Sequence, residues 1–108
     1  MTVQASGTAS LSLNTPLTLA TITTAGTYQL HLQLSVLQSG ATSDVLVVKV
    51  YAKTLGTSTE RLKAEWTHEG AQNNDLTDFP RHEEHSIRYE ITQTAGTARS
   101  FEWRIDKL

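Results

Sequence analysis

The sequence predicts an all-β fold: an antiparallel two-sheet sandwich, jelly-roll-like, with an extended N-terminal arm. Three observations lead to this prediction. Short segments alternate apolar and polar residues with a period of two, which is typical of strands that have one face on a core. No segment sustains the 3.6-residue period of a helix. Turn-forming residues separate six or seven such segments at the spacing of sandwiches and barrels.

The N-terminal residues 1–16 are predicted to form an arm, and residues 17–108 a single β-sandwich domain. The arm is small and polar, with a weak alternation at Leu11 and Leu13. Two placements are open for such a segment, because chain ends stay ordered only when something holds them. It lies either on its own domain or against a neighbouring molecule.

The first predicted strands lie between Leu17 and Leu34. Leu17, Leu19 and Ile22 indicate a strand with an imperfect period, and residues 28–34 alternate strictly. In that second strand the side chains predicted to face the core are Tyr28, Leu30, Leu32 and Leu34.

The segment Val45–Lys53 is predicted to be a strand with apolar residues on both faces. Its fully apolar face consists of Leu46, Val48, Val50 and Ala52, and the opposite face carries Val45, Val47 and Tyr51 beside two lysines. Such a strand is expected to be covered on both sides.

Three further strands are predicted after the hairpin turn LGTST at Leu55–Thr59. The longest irregular stretch, EGAQNNDLTDFP, separates the first of them from the other two. The side chains predicted to face inward are Leu62, Ala64 and Trp66 in the first, Ile87, Tyr89 and Ile91 in the second, and Phe101, Trp103 and Ile105 in the last.

A four-residue motif, Thr-Ala-Gly-Thr, occurs in both ITTAGTYQLHLQL and ITQTAGTARSFEWRI. Gly26 and Gly96 are its glycines, and each can adopt a positive φ to close a turn. We interpret the motif as a structural joint leading into two equivalent strands, one in each sheet, because Gly-containing polar turns are ordinary in β proteins.

Composition argues against several function classes. The chain has 108 residues, a formal net charge of −2 and a pI of about 6.0. Lys and Arg are interleaved with Glu, so the basic stripe of a nucleic-acid-binding protein is missing. With no cysteine there is neither a disulfide framework nor a thiolate metal site. No apolar run approaches the ~20 residues of a membrane-spanning helix, and no secretory signal is recognisable.

The densest polar cluster is RHEEHS, residues 81–86. Zinc could be bound by the nitrogen and oxygen atoms of His82, His85, Glu83 and Glu84. The cluster lies where a strand begins, however, and successive side chains of a strand point to opposite faces. The cluster lacks the helical His-Glu-x-x-His spacing. Neither a His-x-His pair nor a Gly-x-Ser-x-Gly motif occurs. We therefore predict no metal site, no cofactor and no catalytic residue.

Other residues have a structural and a functional interpretation. Trp66 and Trp103 could stack on sugars, but both lie on the apolar phase of their strands, which favours core packing. Asp75 and Asp78 could bind calcium, although two carboxylates are few for that ion. The half-apolar face of Val45–Lys53 indicates either partial cover by the arm or long loop, or a protein–protein contact.

Several stretches together resemble the small jelly-roll cement, or decoration, proteins on the capsids of short-tailed bacteriophages. They are LATITTAGTYQLHLQL, DVLVVKVYAK, EGAQ and QTAGTARSFEWRIDKL, and the likeness spans Leu17–Leu108. The resemblance implies a non-enzymatic protein of the outer capsid surface, made in the bacterial cytoplasm. It also implies that the protein bridges major capsid subunits and forms a homodimer, with no direct contact to nucleic acid or membrane.

The predicted function is therefore capsid stabilisation by burial of surface. The residues predicted to supply protein contacts are Leu11, Leu13, Val45, Val47 and Tyr51. Three alternatives remain open: another virion component of the neck, tail or fibre, a carbohydrate-binding β-sandwich module, and a small metal-dependent enzyme that would use His82 and His85.

Overall fold

A computed structural model describes residues 2–108, which form nine β-strands and no helix. All strand pairs are antiparallel. The strands are β1 (Thr2–Ser10), β2 (Leu17–Ile22), β3 (Gly26–Leu32), β4 (Val45–Ala52), β5 (Arg61–Glu69), β6 (Leu76–Thr77), β7 (Arg81–Glu83), β8 (Ile87–Ala95) and β9 (Ser100–Lys107).

Two sheets pack as a sandwich. The five-stranded sheet has the order β1-β9-β3-β6, with β7 also paired to β3, and the four-stranded sheet has the order β2-β8-β4-β5. The first half of the chain pairs with the second half in reverse, β1 with β9, β2 with β8, β3 with β6 and β7, and β4 with β5. A long antiparallel ribbon rolled in this way is a jelly roll, as the sequence predicts.

The core lies between the two sheets and follows the predicted alternation. In β3, β4 and β8 every second side chain is buried, because successive side chains of a strand point to opposite faces. The largest fully buried apolar side chains are Tyr28, Leu30, Leu32, Leu34, Leu37, Leu46, Ile87, Tyr89, Ile91, Phe101 and Ile105. Trp66 and Trp103 are partly buried and pack against this core, as predicted.

The N-terminal segment belongs to the sandwich. Residues 2–10 form β1, which pairs along its length with β9 at the edge of the five-stranded sheet. Ala9 and Leu11 are buried in the core. Of the two placements open for the arm, the structure has the first, because β9 offers it a complete row of backbone partners.

The two Thr-Ala-Gly-Thr joints share a topological position but not a conformation. One connects β2 to β3 and the other β8 to β9, so both cross from the four-stranded to the five-stranded sheet. Gly96 has a φ of 87°, whereas Gly26 begins β3 without a positive φ. The expectation of a positive φ at Gly26 is thus wrong, and so is that of one strand in each sheet, because β3 and β9 are neighbours.

Asp44 ties three loops together at one end of the sandwich. Its buried carboxylate accepts hydrogen bonds from the N–H groups of Gln38 and Thr97 at 2.9 and 2.8 Å and from Nε of Arg99 at 2.8 Å. Its backbone oxygen accepts a bond from the N–H of Gly70. Burial alone would raise the pKa of Asp44, but these donors lower it below its usual value.

Candidate interaction surfaces

The outer face of the four-stranded sheet carries apolar side chains on both sides of Lys49. Val45, Val47 and Tyr51 point away from the core and are partly exposed, while the alternate residues of β4 are at most 1% exposed. Leu62 of β5 pairs with Tyr51 and is 46% exposed. These four residues are called the β4–β5 face below.

A β-bulge puts Leu62 on this face. The alternation in the sequence predicts Leu62 inside with Ala64 and Trp66, and for Leu62 this is wrong. The pairing shifts register between Val50–Ala64 and Tyr51–Leu62. Because one extra residue reverses the side-chain alternation, Leu62 turns outward while Ala64 and Trp66 stay inward.

The segments expected to cover the β4–β5 face lie elsewhere. The N-terminal segment pairs with β9, and the long loop after β5 contributes β6, which pairs with β3. Both belong to the five-stranded sheet on the far side of the core. The β4–β5 face is therefore open to a partner molecule.

Arg88 of β8 borders this face and is held in a fixed position. Its guanidinium lies 4.0 Å from the centre of the Tyr51 ring. Its Nη1 donates to Glu90 Oε2 at 2.7 Å, and its Nε donates to Glu60 Oε1 at 2.9 Å. Burial alone would lower the pKa of Arg88, but the two carboxylates raise it, so the guanidinium remains charged.

The five predicted contact residues separate into two groups. Leu11 is 7% exposed and belongs to the core, so its side chain offers no surface to a partner. Leu13 is 40% exposed, and Val45, Val47 and Tyr51 are partly exposed. Leu13 lies in the connection from β1 to β2, whereas the other three residues lie in β4, which β8 separates from β2. The five residues therefore do not form one surface.

Leu13 instead belongs to a second surface, which the sequence analysis did not predict. The edge strands β1 and β2 lie side by side, one from each sheet. Val3, near the start of β1, exposes 54% of its surface, and Leu13 and Leu17, at the connection from β1 to β2, expose 40% and 37%. We call the surface formed by residues 2–22 the β1–β2 edge.

The sequence does contain a signal for this surface. The chain has no Asp, Glu, Lys or Arg before Asp44, which is the first of its 20 charged residues. Edge strands are ordinarily protected by charge. A charge-free stretch becomes informative once the topology places two of its strands at sheet edges.

The histidines that resemble a metal site diverge in space. His82 bonds through Nδ1 to Thr27 Oγ1 at 3.0 Å and through Nε2 to Glu84 at 2.8 Å, on an exposed surface. His85 lies beside the turn at Gly56, and His68 faces the core, where burial lowers its pKa. Within residues 2–108 no three His, Asp or Glu side chains converge on a metal position.

The two loop aspartates order the chain around them. The Asp75 carboxylate accepts the N–H of Leu34 at 2.8 Å. Asp78 is buried, and its carboxylate accepts a hydrogen bond from Nε of Arg81 at 2.6 Å. The Arg81 guanidinium also lies over the rings of Trp66 and Phe79, at 5.3 and 4.4 Å from their centres. Both carboxylates are thus occupied by hydrogen-bond donors of the chain itself.

A shallow, open depression of about 330 Å³ lies on the five-stranded sheet, lined by residues that include His31, Asp75, Trp103 and Arg104. Beside it, Nε of Arg104 donates to the buried Asp106 at 2.9 Å. His31 Nε2 lies 3.1 Å from the other Asp106 oxygen, without hydrogen-bond geometry. The depression brings charged groups together around one partly buried indole.

Residues 2–108 include no helix long and apolar enough to cross a membrane. Comparisons with protein-family models, with curated proteins and with solved structures give no match to this chain.

Proposed function

We propose that this protein is a non-enzymatic virion protein that decorates the outer capsid shell and stabilises it by bridging major capsid subunits. The observation that carries the proposal is the β4–β5 face, a partly apolar sheet face that its own chain leaves open. It occurs on a jelly roll, the fold that the resemblance to phage decoration proteins implies.

The physical basis is burial of Val45, Val47, Tyr51 and Leu62 against a capsid subunit. Removing apolar surface from water contributes about 25 cal/mol per Å². Exposed apolar surface rimmed by polar groups is typical of protein contacts. Arg88 and its two carboxylates provide such a rim. Contacts of modest strength suffice, because many copies on one shell act together.

The carbohydrate-binding alternative is weaker. Stacking on a sugar requires an open aromatic face, whereas both tryptophans point inward and pack against the core. Trp103 does contribute to the open depression. Another virion position, in the neck, tail or fibre, would use the same open face.

A sedimentation assay tests the proposal. Purified protein is mixed with expanded capsids from its own source that lack it, and the pelleted fraction and the capsid disruption temperature are recorded. Saturable pelleting with a raised disruption temperature is the expected result. Absence of pelleting would overturn the capsid role and favour a neck, tail or fibre component.

Val47→Asp tests the assignment of the face. A carboxylate at this position would have to be desolvated against the capsid, so we expect pelleting to weaken at least tenfold. Thr77→Asp is the matched control, since Thr77 is an exposed strand residue of the other sheet. Equal loss of binding in both variants, or in neither, would contradict the role of the β4–β5 face.

A further inference from the structure

Each sheet of the described sandwich has two edges, and three of these four edges are blunted. β5 carries Arg61, Lys63, Glu65 and Glu69 and contains a bulge. β2 is short, contains a bulge and follows Pro16. β6 and β7 have two and three residues and are separated by a segment that contains Pro80. Charge, bulges, proline and short length are the usual devices against unwanted strand pairing.

The fourth edge, β1, differs from the others. Its nine residues, TVQASGTAS, include no charged residue and no proline. Its one bulge lies between Val3 and Ala5, which leaves Ser6–Ser10 regular. A long, regular and neutral edge is a template for another strand.

The backbone hydrogen bonds show which groups β1 presents. The N–H of Leu11 donates to the Arg99 oxygen at 3.1 Å, one residue beyond the Ser10–Ser100 pair. Because N–H direction alternates along an antiparallel ladder, Gly7 and Ala9 also point to β9. The N–H groups of Ser6, Thr8 and Ser10 therefore face the open edge.

We propose that β1 pairs antiparallel with β1 of a second copy, so that two five-stranded sheets join into one across a two-fold axis. The pair is centred on Ser6, the middle residue of β1. The neutrality of the β1–β2 edge favours a second copy as the occupant. It offers nothing to complement a charged partner, and two such edges meet without repulsion.

An exposed apolar residue of the strand supports the same pairing. Val3, near the start of β1, is 54% exposed. A second copy's strand along β1 would reduce its contact with water. The inference goes beyond the proposed function and does not depend on it, since it concerns the protein alone in solution.

Sedimentation velocity and amide hydrogen exchange of the full chain provide the test. We expect a dimer in which the amides of Ser6, Thr8 and Ser10 are protected as well as those of Gly7 and Ala9. A monomer, or a dimer in which Ser6, Thr8 and Ser10 exchange rapidly, would overturn the proposal. A monomer would leave the open edge to a strand of a different protein.

Two variants locate the contact. Thr8→Pro removes an N–H that β9 does not use, and proline is tolerated at such edge positions. Ser6→Glu keeps a partner within the chain, because Ser6 lies opposite Arg104, but puts two carboxylates together at the two-fold axis. We expect both variants to shift the protein to monomer, with the dimer dissociation constant raised at least tenfold.

Thr67→Lys, a charge change on the opposite edge strand β5, is the control and should leave the dimer intact. If Thr8→Pro fails to fold, Ser6→Glu decides alone. A dimer that survives Ser6→Glu, or that Thr67→Lys dissociates as effectively, would contradict pairing through β1.

Discussion

At the scale of single residues, Gly96 and Asp44 depend on each other. Gly96 has a φ of 87°, and a Cβ at this position would overlap the Asp44 carboxylate. A side chain here would therefore combine backbone strain with displacement of a buried charge.

We expect Gly96→Ala to lower the free energy of unfolding by about 2–4 kcal/mol, from left-handed strain and steric overlap. Urea denaturation followed by tryptophan fluorescence measures the change. Gly40→Ala is the control, because Gly40 has open space around its Cα. A loss below about 0.5 kcal/mol at Gly96 would mean that the Asp44 loop rearranges freely.

Asp44 should make folding sensitive to acid. Its folded-state pKa lies below the ordinary value of 3.8, so its ionised form favours the folded state. That contribution is fully present above pH 3.8 and is lost as the pH falls through the folded-state pKa.

We expect Asp44→Asn to reduce stability at pH 7 by about 1–3 kcal/mol, through loss of charge-assisted hydrogen bonds. The difference from wild type should shrink as the pH falls below 3.8. Denaturation curves at several pH values provide the measurement, with the exposed Glu102→Gln as control. A difference that is constant with pH would assign the effect to shape rather than to charge.

At the scale of elements, the alternation along β8 divides the strand into a buried and a solvent-facing set. Ile91 is fully buried and Thr92 lies on the outer face. We expect Ile91→Ala to cost about 2–5 kcal/mol and Thr92→Ala less than about 1 kcal/mol. Equilibrium denaturation of the two variants compares the faces directly, and similar losses would contradict the register of β8 against β4.

At the scale of the whole molecule, β1 completes the five-stranded sheet although it comes first in the chain. It covers the backbone of β9, and Gly7 lies against the Trp103 indole. Deleting residues 1–10 should leave the β9 edge unpaired and lower the melting temperature by more than 10 °C, since about 1 kcal/mol corresponds to roughly 4 °C at this size.

Differential scanning calorimetry measures that loss, and light scattering reports the aggregation expected of a bare edge. A synthetic peptide of residues 1–10 should restore part of the melting temperature. An unchanged melting temperature would mean that β1 contributes nothing to its own domain and serves a neighbour instead.

Much of this architecture follows from local patterns. Residues 28–34 and 45–52 alternate so regularly that their buried set could be predicted without a structure, because the side-chain period of a strand is a local property. The same holds for Ile87, Tyr89 and Ile91. The inward direction of both tryptophans follows from the same phase.

Other features depend on which strands meet. The bulge that turns Leu62 outward exists only in the pairing of β5 with β4. The two-residue strand β6 has too little sequence to signal itself and forms because β3 offers partners. Leu11 is buried because β1 is carried onto the core by β9.

The sequence by itself determined the fold class, most inward-facing residues and the resemblance that suggests a capsid role. Only the tertiary structure decided that the N-terminal segment is an edge strand, that the β4–β5 face is open and that the uncharged first 43 residues supply two neighbouring edges. The reason is physical: alternation is set between adjacent residues, whereas edges and open faces arise from pairing between residues as far apart as Thr2 and Lys107.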